Sequence, residues 1–397
     1  MATRTLIIAD DLTGALDVAG PFAQRGLDTQ VVVDASSDWR HRVTDAQVIS
    51  INADSRHLSA AQAAEKVRAI MTPLLPFDGV LLKKIDSTLR GQVVAETLAL
   101  MHASGRRLVI VSPAFPAQGR TVRQGVVWVK GVPLPETAFA RDALSPPPSV
   151  PLAQAFRQAD SAIAVRNVAS ANLSLDMDST PTSLQIWIAD AETQADLDQS
   201  VRALGPRAAQ GLWVGTAGIA QALATHNQAQ QAQARMEPQV RGRILVVVGS
   251  RAEQSQRQVE RLQSRADTHL VEAPNGQVSG DSELDTGSAS VVILRAVRGA
   301  QGEGQADEVA AALARTACDL MRTQGVDAVV AAGGDTARAI LAASACSVLH
   351  VLGDLVPGIP YSQLTVATRP VWLITKAGGF GTDATLAELV DRLRGMP

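Results

Sequence analysis

Short apolar, β-branched runs recur along the first half of the chain, each ending in polar residues and followed by a helical pattern. The runs are TLIIA (5–9), QVVVD (30–34), VISIN (48–52), GVLLKKI (79–85), RLVIVS (107–112), QIWIA (185–189) and LWVG (212–215). Helix-length segments separate several of them, notably 59–75 and 91–104. Strands alternating with helices predict a mostly parallel sheet covered on both faces. Residues 114–150 break the rhythm: VVWVKGVPL reads as a β-excursion, and PETAFARDALSPPPSV as a proline-rich loop.

The segment 225–242, THNQAQQAQARMEPQVRG, is polar and Gln-rich, as an exposed connection would be. A second series starts at RILVVVGS (243–250). It continues through THLVEA, SVVILRAV, a helical span at 307–325, DAVVAAGGDTARAIL, SVLHVL and PVWLITKAGGFG. The expected fold is α/β with two domains, 1–232 and 242–397, each a mostly parallel β-sheet flanked by helices and joined through 225–242. A polar loop, 274–290, lies inside the second half.

Length agrees with that division, since 397 residues exceed what one hydrophobic core usually organises. A hydrophobic content of 46% with 19% charged residues is that of a globular chain. The net charge of −3 and the scarcity of aromatic residues, 3%, give no case for nucleic acid or an anionic membrane as partner. Cys318 and Cys346 have no metal-ligand spacing and read as reduced thiols. MATR runs directly into a strand without an apolar signal core, and no stretch approaches the ~20 apolar residues that cross a bilayer. The expected location is cytoplasmic.

Ligands of open α/β sheets collect beyond the C-terminal strand ends. In the first half those ends carry Asp10 and Asp11; Asn52, Asp54 and Arg56; and Lys83, Lys84, Asp86, Ser87 and Arg90, with Gly91. Arginines give a carboxylate or phosphate two parallel hydrogen bonds, and aspartates accept from hydroxyls, so this set suits a polyhydroxylated anion. Each residue also has a plain structural use. Asp11 or Thr13 would serve as an N-cap worth about 1 kcal/mol, and Asp86-Ser87-Thr88 would cap a helix near Gly91. One of the two adjacent lysines is expected to extend toward solvent. Arg56 and His57 alone read as ordinary loop residues.

The second half delivers glycines instead: Gly249-Ser250, Gly333-Gly334-Asp335-Thr336, and Lys376-Ala377-Gly378-Gly379-Phe380-Gly381. Glycine lets backbone approach a phosphate closely, and a helix N-terminus offers unpaired N–H groups. Three such turns at strand ends of one domain point to a nucleotide-phosphate site, with Lys376 as an added point charge. No Walker P-loop sequence occurs, and the G-x-G-x-x-A at 379–384 stands too near the end for a dinucleotide fold. Zinc-hydrolase and serine-hydrolase motifs are absent.

ADDLTGALDVA, KKIDSTLRG, SPAFPAQGRTVRQGVVWVKGVPL, GGDTARAIL and KAGGFG resemble, in order and across about residues 5–390, the four-carbon acid sugar kinases. The resemblance implies an N-terminal sugar-acid-binding domain, a C-terminal nucleotide-binding domain, and ATP with Mg²⁺ as co-substrate. It implies phosphorylation of the terminal hydroxyl of D-threonate or D-erythronate, with 3-oxo-tetronate as the alternative acceptor. By the same resemblance Asp10, Asp11, Arg56, Lys84, Ile85, Asp86 and Ser87 bind substrate, joined by Arg90. Ser250, Gly333, Gly334, Asp335, Thr336, Gly378 and Gly379 contact ATP, with Lys376 beside them. Asp11 is the expected general base and Asp335 its competitor; metal ligands are not assigned. Two departures stand out: Arg251-Ala252-Glu253-Gln254 replaces the family's Ser-Pro-x-Thr-like turn, and Pro21 falls inside the first helix, where a kink is expected. The remaining readings are a non-catalytic sensor of sugar acid and nucleotide, and a carboxylate-activating ligase. A homodimer is left open.

Overall fold

The computed structural model describes residues 4–36, 39–43, 45–142, 145–173, 183–226, 237–278, 286–299 and 305–396. The chain divides into two compact units, residues 1–233 and 234–397, and each is described by itself. The core of the expected linker, 227–236, and most of the 274–290 loop's centre, 279–285, lie outside the described residues.

The strands of the first unit are β1 Thr5–Ala9, β2 Thr29–Val32, β3 Val48–Asn52, β4 Val80–Lys84, β5 Leu108–Ser112, β6 Arg120–Arg123, β7 Val126–Val129, β8 Val132–Pro133, β9 Ala164–Ala169, β10 Gln185–Asp190 and β11 Leu212–Gly215. Its helices are α1 Leu12–Gln24, α2 Ala60–Met71, α3 Val93–Ser104, α4 Leu152–Ala159, α5 Gln194–Leu204 and α6 Ala217–His226. The main sheet runs β2-β3-β1-β4-β11-β5-β10-β9 with every pair parallel. The apolar runs form its fully buried centre, as parallel strands covered on both faces require. The β-excursion is a small antiparallel sheet, β6-β7-β8. β9 was not expected, because AVRNVA alternates exposed and buried positions at the sheet edge.

Strand order places β1 between β3 and β4, so the chain winds one way from β1 to β2 and β3 and crosses back at β4. The loops leaving β1, β3 and β4 therefore share one crevice. Pro21 stands inside α1, which continues to Gln24 as a single helix. The missing proline amide falls opposite the Asp17 carbonyl.

The second unit holds β12 Arg243–Val248, β13 Thr268–Pro274, β14 Val291–Val297, β15 Val326–Ala332, β16 Val348–Val356, β17 Ile359–Val366 and β18 Arg369–Lys376. Its helices are α7 Glu253–Gln263, α8 Ala306–Thr323, α9 Gly334–Ala343 and α10 Thr385–Leu393. The order is β13-β14-β12-β15-β18-β17-β16, parallel from β13 to β18 and antiparallel beyond. β17 was missed because Pro360 and polar Ser362, Gln363 and Thr365 hide a strand whose ladder is antiparallel. Here β12 stands between β14 and β15, and the glycine turns leave β12, β15 and β18 side by side. Both cysteines are free thiols. Among the described residues no helix is long and apolar enough to cross a membrane.

Candidate active site

Asp10 and Asp11 are held by one arginine. After β3 the chain turns back across the end of β1, where the amides of Ser55 and Arg56 donate to the Asp10 carbonyl (2.9 and 3.2 Å). That crossing aims the Arg56 side chain at both carboxylates. Nε and Nη2 donate to the two oxygens of Asp10 (2.7 and 3.0 Å), and Nη1 donates to Asp11 Oδ2 (2.6 Å). Asp11 also N-caps α1, accepting from the Gly14 amide (2.8 Å) and the Thr13 hydroxyl (2.7 Å). Cap and site are thus the same carboxylate. Burial works against its charge, but Arg56 and Lys84 outweigh burial and hold its carboxyl below the usual range. Arg56, opposed by burial but facing Asp10 and Asp11, is held firmly protonated.

Two glycines make room for this arrangement. A Cβ on Gly14 would stand 2.8 Å from the Lys84 ammonium and 2.5 Å from Asp11 Oδ1. Gly91, at φ +85°, backs onto Arg56 and Asp10, with a Cβ position 3.3 and 3.4 Å from their side chains.

Neither lysine at the end of β4 reaches solvent, contrary to expectation. The stem of Lys83 is fully buried, its ammonium 3.1 Å from buried Glu96, which also accepts from the Ser55 hydroxyl. Lys84 lies over the first turn of α1 and faces Asp17 at 3.6 Å. Burial would lower its proton affinity, yet Asp17 and Asp11 raise it. Ile85 buries its side chain, and its amide donates to the Gly215 carbonyl (2.9 Å). Asp86 shapes the turn after β4 rather than capping α3, whose N-cap is Gln92. It accepts from the Thr88 amide and hydroxyl and from two Arg90 nitrogens (3.0 and 2.9 Å). Burial opposes its charge, but Arg90 keeps the carboxyl well below the usual range. Ser87 sits half-buried in the same turn. Asn52 donates to the Val33 carbonyl and accepts from the Asp54 amide, so it shapes the loop.

Sequence reasoning missed three participants. Asp142 and Ser145 come from the proline-rich loop: Asp142 stands 3.7 Å from Arg90, and the Ser145 hydroxyl bonds His57 Nδ1 (2.8 Å) and the Arg56 carbonyl (3.2 Å). The third is Asp17, one turn beyond Gly14, whose Oδ1 is buried with no hydrogen-bond partner. Burial, with Asp11 nearby, raises its carboxyl to about 7 against the opposing pull of Lys84. Only a bare glycine one turn ahead of an acid on the same helix face hinted at it.

That raised value has a stability consequence with a definite sign. The folded protein takes up a proton on Asp17 that the unfolded chain, titrating near 3.8, does not hold. Stability therefore falls as pH rises from about 4 to about 7, and the penalty is complete above that window. Asp17→Asn should raise Tm at pH 8 and leave it unchanged near pH 4. With 23% of the side chain exposed, the gain is set at ~1–2 kcal/mol rather than the full shift. Thermal melts of both proteins across this range check it, and equal Tm values at pH 8 would refute it.

In the second unit the three glycine turns touch one another. A Cβ on Gly378 would lie 2.1 Å from Ser250 Oγ, one on Gly249 2.4 Å from Thr336 Oγ1, and one on Gly333 3.4 Å from Ser250 Cβ. Gly333, at φ +119°, is the N-cap of α9, so Gly334, Asp335 and Thr336 form that helix's first turn. Thr336 is buried, whereas Asp335 is largely exposed and 3.6 Å from Arg338. The third turn does not open a helix directly, since α10 begins only at Thr385. Gly379 faces open space.

Lys376 is not presented as a point charge. It is fully buried, and its ammonium donates to the carbonyls of Ala377, Gly378 and Phe380 (2.9, 3.0 and 3.2 Å). Burial lowers its proton affinity to about 8. The divergent segment Arg251–Gln254 leads into α7, which grips the same loop from the other side. The Ser255 hydroxyl donates to Gly378, the Gln258 amide to Phe380 and Thr382, and Gln254 and Arg257 to Asp383.

Residues 5–223 match the model of a sugar-binding N-terminal domain, and residues 245–386 that of a nucleotide-binding C-terminal domain. A D-threonate kinase of Bordetella bronchiseptica is 34% identical over 98% of this chain and 97% of its own length. The chain belongs to the four-carbon acid sugar kinase family. A D-threonate kinase of Salmonella typhimurium is 31% identical over 97% of each chain. Family members named 3-oxo-tetronate kinase and D-erythronate kinase, from Brucella melitensis and Heliobacterium modesticaldum, are each 26% identical. A crystal structure of a Bordetella bronchiseptica domain of unknown function, a domain-swapped dimer with bound citrate, is 31% identical. Coverage is 100% of this chain and 99% of that one, with a TM-score of 0.50.

Proposed function

We propose that the protein transfers the γ-phosphoryl group of ATP to the terminal hydroxyl of a four-carbon sugar acid, with D-threonate the preferred acceptor. The observation that carries the reading is the Arg56 bracket on Asp10 and Asp11 at the crossover of the sugar-binding domain. It fixes two carboxyl acceptors where substrate hydroxyls would bind. The choice of acid follows the gradient of likeness, 31–34% to D-threonate kinases against 26% to the erythronate and 3-oxo-tetronate kinases cited above. Phosphoryl transfer needs positioning and charge neutralisation more than covalent chemistry. Mg²⁺ enters with ATP as part of the co-substrate. The touching turns at Ser250, Gly333 to Thr336 and Gly378-Gly379 supply the backbone that would receive its phosphates. Asp11 accepts the hydroxyl proton in this reading. Its low proton affinity suits a late transfer, when the oxygen is already bonding to phosphorus.

Purified protein with ATP and Mg²⁺ should release ADP only when a sugar acid is added, with the highest kcat/KM on D-threonate among D-threonate, D-erythronate and 3-oxo-tetronate. The product should be an ester stable to hydroxylamine, which would trap the acyl phosphate of a ligase. Asp11→Asn should lower kcat by about 100-fold or more, and full activity in that variant would move the base to Asp335. If no four-carbon acid stimulates ADP formation, the reading fails.

A further inference from the structure

The proposed acceptor is an anion, yet most basic side chains around the crossover already face a carboxylate of the protein. Arg56 spans Asp10 and Asp11, Arg90 makes two bonds to Asp86, and Lys84 faces Asp17. Arg120 differs from all three. It opens β6 directly after the turn Pro116–Gln118, on the chain that leaves the C-terminal end of β5, and bridges to Phe115 there. Its guanidinium lies 5.9 Å from the centre of the Phe139 ring. Phe139 belongs to the same loop that brings Asp142 to Arg90. The charges that act on Arg120 are those of Asp86 and Arg90, which places it on the same crevice.

Its hydrogen bonding is incomplete. Nη1 donates to the Gln118 carbonyl, while Nε is buried with no partner, and among the described residues no carboxylate pairs with it. Burial accordingly lowers its proton affinity, where Arg56 and Arg90 are raised by their partners. A buried N–H of a charged group left without an acceptor is costly, and native proteins keep few of them. A planar oxyanion is the acceptor whose geometry matches a guanidinium edge.

We propose that Arg120 is the specificity-determining residue that takes the substrate carboxylate, its unpartnered Nε and guanidinium edge supplying the two-bond contact that Arg56 and Arg90 have already spent on aspartates. This rests on the sugar-acid reading above and assigns the acid group within it. The hydroxyls then fall to Asp10 and Asp11, and the carboxylate to the β6 side of the crevice.

The test is calorimetric binding of D-threonate, D-erythronate and the matching uncharged tetritols to the wild type and to Arg120→Met and Arg120→Lys, with kinetics alongside. Arg120→Met should weaken binding of the acid by about 100-fold, the worth of a charge-assisted pair of bonds. It should leave tetritol affinity and the KM for ATP unchanged within about two-fold. Its turnover of D-threonate should fall through KM rather than kcat, and Arg120→Lys should recover part of the loss, because a point charge replaces a fork. Equal losses on acid and tetritol would reduce Arg120 to a packing residue on Phe139 and overturn the inference. So would a wild type that binds no acid more tightly than its tetritol. Tight, Arg120-dependent binding without turnover would instead leave the inference standing and remove the kinase reading alone.

Discussion

Arg56→Ala should cut turnover steeply and destabilise the first unit together. Three nitrogens of this side chain bond the oxygens of Asp10 and Asp11, and Asp10 is only 2% exposed. Removing the cation leaves two neighbouring carboxylates with a shared deficit, and breaking a buried pair from one side costs ~3–5 kcal/mol. Loss of kcat/KM should reach about 1,000-fold, since the acceptors lose both their charge balance and their geometry. Arg56→Lys keeps the charge but lacks the planar fork that spans both carboxylates, so it should rescue stability in part and activity less. The pH dependence has a fixed sign. The Asp11 carboxyl is depressed in the folded protein, so its contribution is present above about 4 and lost as pH falls further. Urea titrations of wild type and Arg56→Ala should therefore converge in acid. A variant as stable as the wild type at pH 7 would show that the bracket contributes nothing to folding.

The second large effect is expected directly beneath it. Lys83 and Glu96 are 0% and 1% exposed and 3.1 Å apart, with Ser55 donating to the same carboxylate. Burial raises the Glu96 carboxyl despite Lys83, so the pair is held at a cost. Glu96→Ala leaves a buried ammonium without its counter-charge, and ~3–5 kcal/mol should be lost. Lys83→Met combined with Glu96→Leu removes both charges and keeps the volume, and should recover most of that loss. A double-mutant cycle in urea measures it, a coupling energy near zero being the adverse result. The amide of Ser55 donates to the Asp10 carbonyl, so the single variants should also lose activity while the double variant regains part of it.

How much of this was legible varied with the physics of each element. Apolar runs such as TLIIA and LVIVS could only be buried strands, and their polar ends marked the crevice before any geometry was known. β9 and β17 escaped because an edge strand alternates and a proline-bearing antiparallel strand has no continuous apolar run. Asp10, Asp11, Arg56 and Asp86 were singled out by position at strand ends; the structure joins the first three through direct hydrogen bonds, while Asp86 bonds Thr88 and Arg90. Asp17 was hidden in a helix interior, where only the path of Lys84 from another strand gives it a partner. Asp142 and Ser145 stand in a loop whose composition says proline-rich and nothing about where it folds. Lys376 was misread for a related reason: a lysine before glycines looks like a phosphate ligand until the loop is seen to curl back over it.

That curl determines which way the loop's peptides point. In a trans peptide the carbonyl and the following amide face opposite directions. The Lys376 ammonium draws the carbonyls of Ala377, Gly378 and Phe380 inward, and the Ser255 hydroxyl pulls on Gly378 as well. The amides of Gly378, Gly379 and Gly381 are consequently turned away from the buried ammonium, on a loop where Ala377 and Gly379 are exposed. A cation sealed inside the domain thus sets the outward face of the loop by sorting backbone dipoles rather than by lending its own charge.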